Sequence, residues 1–248
     1  MGTDRYLEIM HLGNCKGALH QNISDGEFLN KIDVTKSELE RKLEKYKSDE
    51  VYAYIVQSIE YDGSKFLQTG TGPNFEGGVI TLCTCKRKMR ASSRKVKEGW
   101  KSTWIAGFTG QRLFKDGRNY LFYLMRVGEA FPSQKALWDS LDIYTQKAKN
   151  ALYNPLGDLY QPKPLAEFKD KYEYSNYYKP CKEHSHYEDD EWKRDINYEG
   201  LHPSLLLGEK DNSYLWFDKS KAPSYRSDGK QFRQKKFNDL GAFLRELI

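Results

Sequence analysis

Residues 81–90 read TLCTCKRKMR, and residues 102–112 read STWIAGFTGQR. Both segments begin with residues that favour β-strands. The first then runs into four cations within five residues, and the second runs into a glycine-containing turn that ends at Arg112. If the two strands lie side by side, their basic ends meet at one rim of a sheet. Such a rim suits an anion, and nucleotides are the commonest large anions in a cell.

Further strand-like runs surround these two segments. Residues that favour β-strands concentrate at 51–56, 79–85, 103–108, 120–127, 204–207 and 214–217. The sequence KDGR at 115–118 predicts a hairpin between the third and fourth runs, and residues 208–212 predict a turn between the last two. Because the runs cluster and alternate little with helices, the sequence predicts an α+β fold with a mainly antiparallel, small β-barrel and flanking helices.

Helical patterns frame the predicted sheet. Thr35 and Glu38 form a capping box that opens a helix over residues 35–47, and Ser133 caps a helix that extends to about residue 152. A last helix is predicted over residues 237–247. We therefore interpret residues 1–50 as an N-terminal helical appendage, residues 51–223 as the main domain with a long excursion at 154–202, and residues 224–248 as a C-terminal helix that packs on it.

The composition limits the function classes. The chain has 248 residues with 40 basic and 35 acidic side chains, so its net charge of +5 is weak and only local clusters, at residues 86–90 and 94–97, can attract a nucleic acid. A solvated basic edge that discourages strand pairing is an equally open alternative. The 18 Tyr, 12 Phe and 5 Trp predict an aromatic-rich core. No apolar run approaches the roughly 20 residues that cross a bilayer, and the N-terminus lacks a signal-peptide pattern, so we expect a cytoplasmic protein with no membrane partner.

The cysteines and histidines allow two kinds of reactive site. Cys83 and Cys85 point the same way on a strand, and Cys181, His184 and His186 have metal-like spacing, so a zinc site is conceivable. A thiolate beside the basic run is a possible nucleophile. The favoured interpretation is that the cysteines are small core residues and the histidines lie in a solvated loop, so neither a metal nor another cofactor is predicted.

Carboxylates are available for acid-base or magnesium chemistry at Asp158, Asp189, Asp190, Asp195 and Asp211. Asp158 stands out because the sequence GDLY at 157–160 is a compact turn with an aromatic residue that can stack on a base. The sequence contains neither a phosphate-cradling GxxxxGK[ST] motif nor a dinucleotide GxGxxG motif, which argues against a nucleoside triphosphatase or a Rossmann enzyme.

Aromatic and basic residues together suit the recognition of a base and its phosphate. The stacking candidates are Trp104, Phe108 and Tyr160, and the candidate anion partners are Lys86, Arg90 and Arg112. Stacking on an aromatic side chain is worth about 1 to 3 kcal/mol per base. Strand alternation puts Trp104 and Phe108 on one face, and that face can equally be the buried one.

A family resemblance rests on the order of several short motifs. These are YAYIV at 52–56, ITLCTCK at 80–86 followed by Arg90, TWIAG at 103–107, LFYLMRVGE at 121–129, GDLY at 157–160, LLL at 205–207 and YLWFD at 214–218. In this order, residues 51–223 resemble the bacterial and phage nucleotide modification associated domain, second type. The strand order is also similar to PUA, EVE and ASCH-like barrels, some of which read modified bases in an aromatic pocket.

The resemblance implies a link to DNA or nucleotide modification. It also implies a set of residues near the site, namely Lys86, Arg90, Trp104, Thr109, Asp158 and Tyr160. One departure is that residues 101–103 read KST, where such domains usually carry Gly-Asp before the tryptophan strand. Any role of that aspartate is therefore absent from this chain.

The leading hypothesis is the binding of a nucleotide or modified nucleobase in a pocket formed by Lys86, Arg90, Trp104, Thr109, Arg112 and Tyr160, in base modification or phage defence. The expected partner is a nucleotide or nucleic acid, and DNA with modified bases is one candidate. One alternative is an enzyme that transfers or hydrolyses a group on a base or nucleotide, with Asp158 in acid-base catalysis and Cys83 or Cys85 as nucleophile. Another is a protein-interaction module without a nucleotide ligand. The sequence leaves the oligomeric state open.

Overall fold

Helix α1 (Lys36–Leu43) begins at the predicted capping box. The Thr35 hydroxyl accepts from the Glu38 backbone amide at 3.4 Å, and the Glu38 carboxylate accepts from the Thr35 amide at 2.9 Å. Leu39 and Leu43 are fully buried, and the chain continues in a 3-10 turn over Glu44–Tyr46. The computed structural model describes residues 28, 30–91, 97–164, 170–226 and 233–248. Most of the predicted appendage at residues 1–50 and part of the basic cluster at 94–97 lie outside the described residues.

The described residues form nine strands and seven helices. The strands are β1 (Val51–Ile55), β2 (Ile59–Tyr61), β3 (Phe66–Gln68), β4 (Thr81–Leu82), β5 (Trp104–Phe108), β6 (Asn119–Phe131), β7 (Leu205–Leu215), β8 (Ser224–Tyr225) and β9 (Gln234–Phe237). The helices after α1 are α2 (Arg87–Arg90), α3 (Lys97–Trp100), α4 (Gln134–Ser140), α5 (Ile143–Lys149), α6 (Glu191–Ile196) and α7 (Leu240–Glu246). None of these helices is long and apolar enough to cross a membrane.

The main sheet has the strand order β4-β7-β6-β5-β1-β9, and β8 pairs with the first residues of β6. The α+β class is confirmed, and the sheet curls into a half-barrel. The prediction of a mainly antiparallel barrel needs correction, because β1 and β5 run parallel and the sheet is therefore mixed. Residues 56–103 separate these two strands, which is long enough for the crossover that a parallel pair requires. The likeness to a PUA barrel stays a prediction.

Several predicted strands change length. The predicted strand at 79–85 contributes only Thr81–Leu82 to the sheet, because Lys86 adopts φ = 57° and opens α2. The two runs at 204–207 and 214–217 belong to one strand, β7, which bulges over residues 209–212: Gly208 lies opposite Val127 and Ser213 opposite Met125, with no β6 partner between them. The predicted hairpin of β5 and β6 is confirmed.

The later helices also differ from the prediction. The helix predicted from Ser133 to about residue 152 is divided into α4 and α5, because Asp142 caps a second helix by accepting from the Thr145 amide at 2.9 Å. The predicted helix at 237–247 begins only after β9, where Asp239 caps α7. In both cases a short polar side chain accepts a hydrogen bond from a backbone amide, and this bond fixes the residue at which the helix begins.

The two faces of the sheet make different contacts. On one face, Phe108 contacts Phe243 of α7 with ring centroids 6.1 Å apart. On the other face, the Tyr123 hydroxyl donates to the Tyr54 hydroxyl at 2.9 Å. The Tyr123 ring lies directly over Gly107, where an added Cβ would come within 2.1 Å of it. Helices α1 and α7 and the sheet contribute to one hydrophobic cluster.

Candidate functional site

The register of the sheet collects cations at one end. β1 and β5 are parallel and end together, and their antiparallel neighbours β6 and β9 begin at this same end. Arg112 follows β5, Arg118 precedes β6, Arg226 follows β8 and Arg233 precedes β9. We call the set formed by these four arginines and Lys86 the basic rim.

Lys86 reaches the rim from another part of the sheet. β4 is separated from β5 by β7 and β6, so the expectation that the two strands lie side by side is wrong. The segment after β4 instead crosses a face of the sheet and places Lys86 Nζ 4.8 Å from the Tyr54 ring centroid, near the end of β1. Burial lowers the pKa of the Lys86 ammonium, and the positive charge of Arg233 lowers it further.

The rim cations lack acidic partners among the described residues. No carboxylate of the described ranges lies within 4.0 Å of any of the five rim cations, and Arg118 Nη1 donates only to Ser224 Oγ, at 3.4 Å. Three arginines elsewhere, Arg87, Arg126 and Arg194, do pair with carboxylates; Arg126, for example, contacts Asp49 at 2.9 Å and Glu209 at 2.6 Å. The rim therefore carries local positive charge that the weak net charge of the chain does not reveal.

A surface groove of about 500 Å³ opens at the same end of the sheet. Its lining includes the aromatic rings of Tyr61 and Tyr120, the cations Arg118 and Lys219, and the hydroxyls of Ser64, Ser220 and Ser224. The Lys219 ammonium lies 4.9 Å from the Tyr120 ring centroid and 3.4 Å from an oxygen of Asp116. Although burial opposes it, the pKa of Asp116 is lowered, because Tyr120, the Arg118 amide and Lys219 all favour the carboxylate. The groove thus combines the partly exposed Tyr61 ring, hydroxyls, the Asp218 carboxylate and the Arg118 guanidinium, which has no carboxylate partner among the described residues. The Tyr120 ring is only 8% exposed and forms the floor of the groove.

The structure does not bring all the predicted pocket residues together. Trp104 is fully buried at the start of β5, away from the rim, and its indole donates to Asp49 at 3.2 Å. Thr109 is also fully buried, but it supports the groove, since its hydroxyl accepts from the Tyr120 amide at 2.9 Å. The exposed Arg112 lies on the rim. The sequence missed Tyr61, Tyr120, Arg118 and Lys219, because the only local signal among them was the turn at 115–118, which predicts a hairpin.

Arg90 is 1% exposed and binds backbone carbonyls. Its Nε donates to Cys85 O at 2.8 Å, its Nη1 to Ser204 O at 2.7 Å and its Nη2 to Cys83 O at 2.7 Å. The guanidinium therefore ties the segment after β4 to the segment before β7. Because the guanidinium donors are engaged with carbonyls, few remain for a ligand. The contact of Arg90 with an anion stays a prediction, and the structure does not support it.

Asp158 is fully buried beneath β4. Its carboxylate accepts from the Thr81 hydroxyl at 2.9 Å and from the Cys83 amide at 3.2 Å. Burial raises the pKa of Asp158 although the ammonium of Lys149 opposes the change, and burial also raises the pKa of the Cys83 thiol well above its usual value. A sealed carboxylate beside a protonated thiol suits a structural clamp better than proton exchange with a substrate.

Tyr160 belongs to a second polar cluster within the excursion. Its hydroxyl donates to Asp195 Oδ2 at 2.7 Å, and His186 Nδ1 contacts the same oxygen at 2.6 Å. Arg87 Nη1 lies 3.4 Å from the other oxygen, and the Asp195 side chain is fully buried. The His186 side chain keeps 19% of its surface exposed. A buried carboxylate that holds one imidazole nitrogen leaves the other available as a proton acceptor.

The neighbouring His184 is held in the neutral form. Its Nε2 lies 2.8 Å from Gly157 O, and its Nδ1 accepts from the His186 amide at 3.0 Å. Burial is the main cause that lowers the pKa of His184 to about 4. Within the described ranges, no group of three or more His, Cys, Asp or Glu side chains is arranged to hold a metal ion.

Comparisons with known proteins give this site no precedent. No protein-family model matches the chain, and searches of the curated proteins and of the solved structures found no match. The resemblance to the nucleotide modification associated domain therefore stays a prediction.

Proposed function

We propose that the protein binds a nucleotide or a nucleobase-containing ligand at the basic rim, with the groove receiving the base. The observation that carries this proposal is the meeting of two features at one end of the sheet. Five cations without a carboxylate partner among the described residues lie beside a groove whose lining includes the partly exposed ring of Tyr61.

The chemistry of the two features is complementary. Guanidinium groups bind phosphate oxygens through paired hydrogen bonds, and a rim arginine without a competing carboxylate does not have to break an ion pair first. A base that stacks on a tyrosine gains about 1 to 3 kcal/mol, and the ring faces accept any base. Serine hydroxyls line the groove; Ser220, whose hydroxyl donates to Asp218 Oδ1 at 2.7 Å, can still accept from a donor on a base edge.

The cellular role is a separate step of the proposal. The resemblance of residues 51–223 to the nucleotide modification associated domain supports a role in DNA or nucleotide modification or in phage defence. A modified base is then a ligand to test beside the ordinary ones, because the groove offers ring faces and hydroxyls but its geometry does not select one base.

Thermal shift against a panel of nucleosides, nucleotides and short DNA strands tests the binding. A ligand at a hundredfold excess over its Kd stabilises the folded state by about 2.7 kcal/mol, which raises the Tm of a chain of this size by about 5 to 10 °C. We expect phosphate-bearing ligands to raise the Tm, Arg118→Gln to reduce that shift, and the matched control Arg41→Gln, an exposed cation on α1, to leave it unchanged. If no member of the panel changes the Tm, the protein-interaction module becomes the better explanation.

A second candidate function is catalysis on the bound ligand. Orientation of His186 by the buried Asp195 favours it, because this arrangement supplies a base that can take a proton from water or a hydroxyl group. We propose His186 rather than Asp158 as the acid-base residue of such an enzyme. Chromatography of a ligand incubated with the protein measures turnover. His186→Gln should abolish turnover and retain binding; loss of turnover only in Asp158→Asn would return the role to Asp158.

A further inference from the structure

We propose that the ligand of the basic rim is a single strand of nucleic acid, contacted along several phosphates, rather than a free nucleotide or a duplex. This inference rests on the proposed function and names its ligand class. It follows from how far apart the rim cations stand along the end of the sheet and from what the groove accepts.

The strands at the rim follow one another in a fixed order. β8 takes the place of β7 beside β6, since Leu121 N donates to Pro223 O at 2.8 Å, while β7 ends opposite Tyr123. The order at this end is therefore β9, β1, β5, β6, β8. Neighbouring strands lie about 4.8 Å apart, so the four spacings extend over about 19 Å along the sheet.

The rim cations are spread over this whole width. Arg233 lies at β9, Lys86 over β1, Arg112 and Arg118 between β5 and β6, and Arg226 at β8. Phosphates of a stacked strand advance by about 3.4 Å each along the strand axis, so a row of about 19 Å has room for roughly five phosphates. A monophosphate can contact only one or two neighbouring cations of such a row.

The groove distinguishes a single strand from a duplex. A base can lie against the partly exposed Tyr61 ring only when it is unpaired and unstacked from its neighbours, which costs little in a single strand. Because Arg118 belongs both to the groove lining and to the rim, a base in the groove and the phosphates on the rim can belong to one strand.

Fluorescence anisotropy of a fluorescein-labelled thymidylate decamer over a salt series tests this inference. Each phosphate contact to a single strand contributes about −0.7 to the slope of log K against log salt, so we expect a slope near −3.5 for the native protein. Arg226→Gln and Arg233→Gln should each make the slope shallower by about 0.7, and Arg41→Gln should not change it. Thymidine monophosphate should compete at least a hundredfold more weakly than the unlabelled decamer.

The other outcomes separate this inference from the proposed function. If the monophosphate competes as well as the decamer and the slope is near −1, a nucleotide binds but the strand inference is wrong. Tighter binding of a duplex of the same length overturns the single-strand assignment. Failure of the decamer and of all nucleotides to bind the folded protein overturns both.

Discussion

Replacing Arg90 should destabilise the protein strongly although the residue lies in the most basic stretch of the chain. Its guanidinium supplies donors to the carbonyls of Cys83, Cys85 and Ser204, all three at 2.7 to 2.8 Å. A buried acceptor without a donor costs about 1 to 3 kcal/mol, so Arg90→Met, which fills a similar volume but leaves three carbonyls without this donor, should cost about 3 to 9 kcal/mol. That is a large part of the roughly 5 to 15 kcal/mol that stabilises a typical domain.

Urea unfolding, followed by tryptophan fluorescence, measures this loss. Arg90→Lys retains the charge and can serve one of the carbonyls, so its loss should be smaller than that of Arg90→Met by about 1 to 2 kcal/mol. The exposed Arg112→Gln is the matched control and should stay within about 0.5 kcal/mol of the native protein. Folded Arg90→Lys should also keep the native affinity for any nucleotide ligand.

Two results would refute this reasoning. If Arg90→Met loses less than about 1 kcal/mol with an unchanged denaturant slope, water satisfies the carbonyls and Arg90 is not a structural clamp. If Arg90→Lys is as stable as the native protein but loses ligand affinity, the residue contacts the ligand, as the sequence predicts, and the carbonyl contacts are secondary.

Three further changes test the packing and protonation of the fold. Gly107→Ala should cost about 1 to 3 kcal/mol, because the new Cβ would lie 2.1 Å from the Tyr123 ring, whereas Gly110→Ala meets nothing within 4 Å and should be neutral in the same urea assay. The folded pKa of His184, about 4, lies below its ordinary value of 6.5, so the unfolded state binds more protons and stability falls as pH drops from 6.5 towards 4. At pH 5 this loss is about 2 kcal/mol, and unfolding curves of His184→Gln should lack it. Thr35→Ala should lower stability by about 1 kcal/mol by removing the helix cap, measured by urea unfolding.

Each of these expectations has a result that contradicts it. Equal losses in Gly107→Ala and Gly110→Ala would mean that the Tyr123 ring moves aside. An identical pH dependence in His184→Gln and the native protein would place the protonation elsewhere. An unchanged stability in Thr35→Ala, with Ser37→Ala as the neighbouring control, would show that α1 does not depend on its capping box.

Local signals predicted the elements that depend on neighbouring residues. The capping box at Thr35, the strand at 51–56 and the hairpin of β5 and β6 are confirmed, because caps, β-forming runs and tight turns act within a few residues. Pairing between distant strands was not predictable in this way. The parallel match of Val51 with Trp104 depends on the path of residues 56–103, which no local pattern encodes.

The candidate site follows the same division. The sequence identified Lys86 and Arg112 as cations at strand ends, and the structure brings both to one end of the sheet. The sequence could not distinguish Lys86 and Arg112 from Arg90. A buried arginine that binds carbonyls and an exposed arginine are the same residue type, and both can have basic neighbours in the sequence. The sequence suggests acid-base or magnesium chemistry for Asp195 and a zinc site for His186. It does not predict their contact at 2.6 Å, because that contact depends on how the excursion folds.

The parallel pairing of β1 and β5 is the feature that creates the basic rim. If β1 ran antiparallel to β5, its own antiparallel partner β9 would begin at the opposite end of the sheet, and Arg233 would be separated from Arg112 by the length of a strand. Lys86, whose ammonium lies against the Tyr54 ring of β1, would also move to that opposite end. Each basic segment would then face water alone, as in a solvated edge. The crossover through residues 56–103 instead gathers segments that are distant in sequence, and the proposed binding of a nucleic acid by this weakly charged chain depends on that concentration of charge.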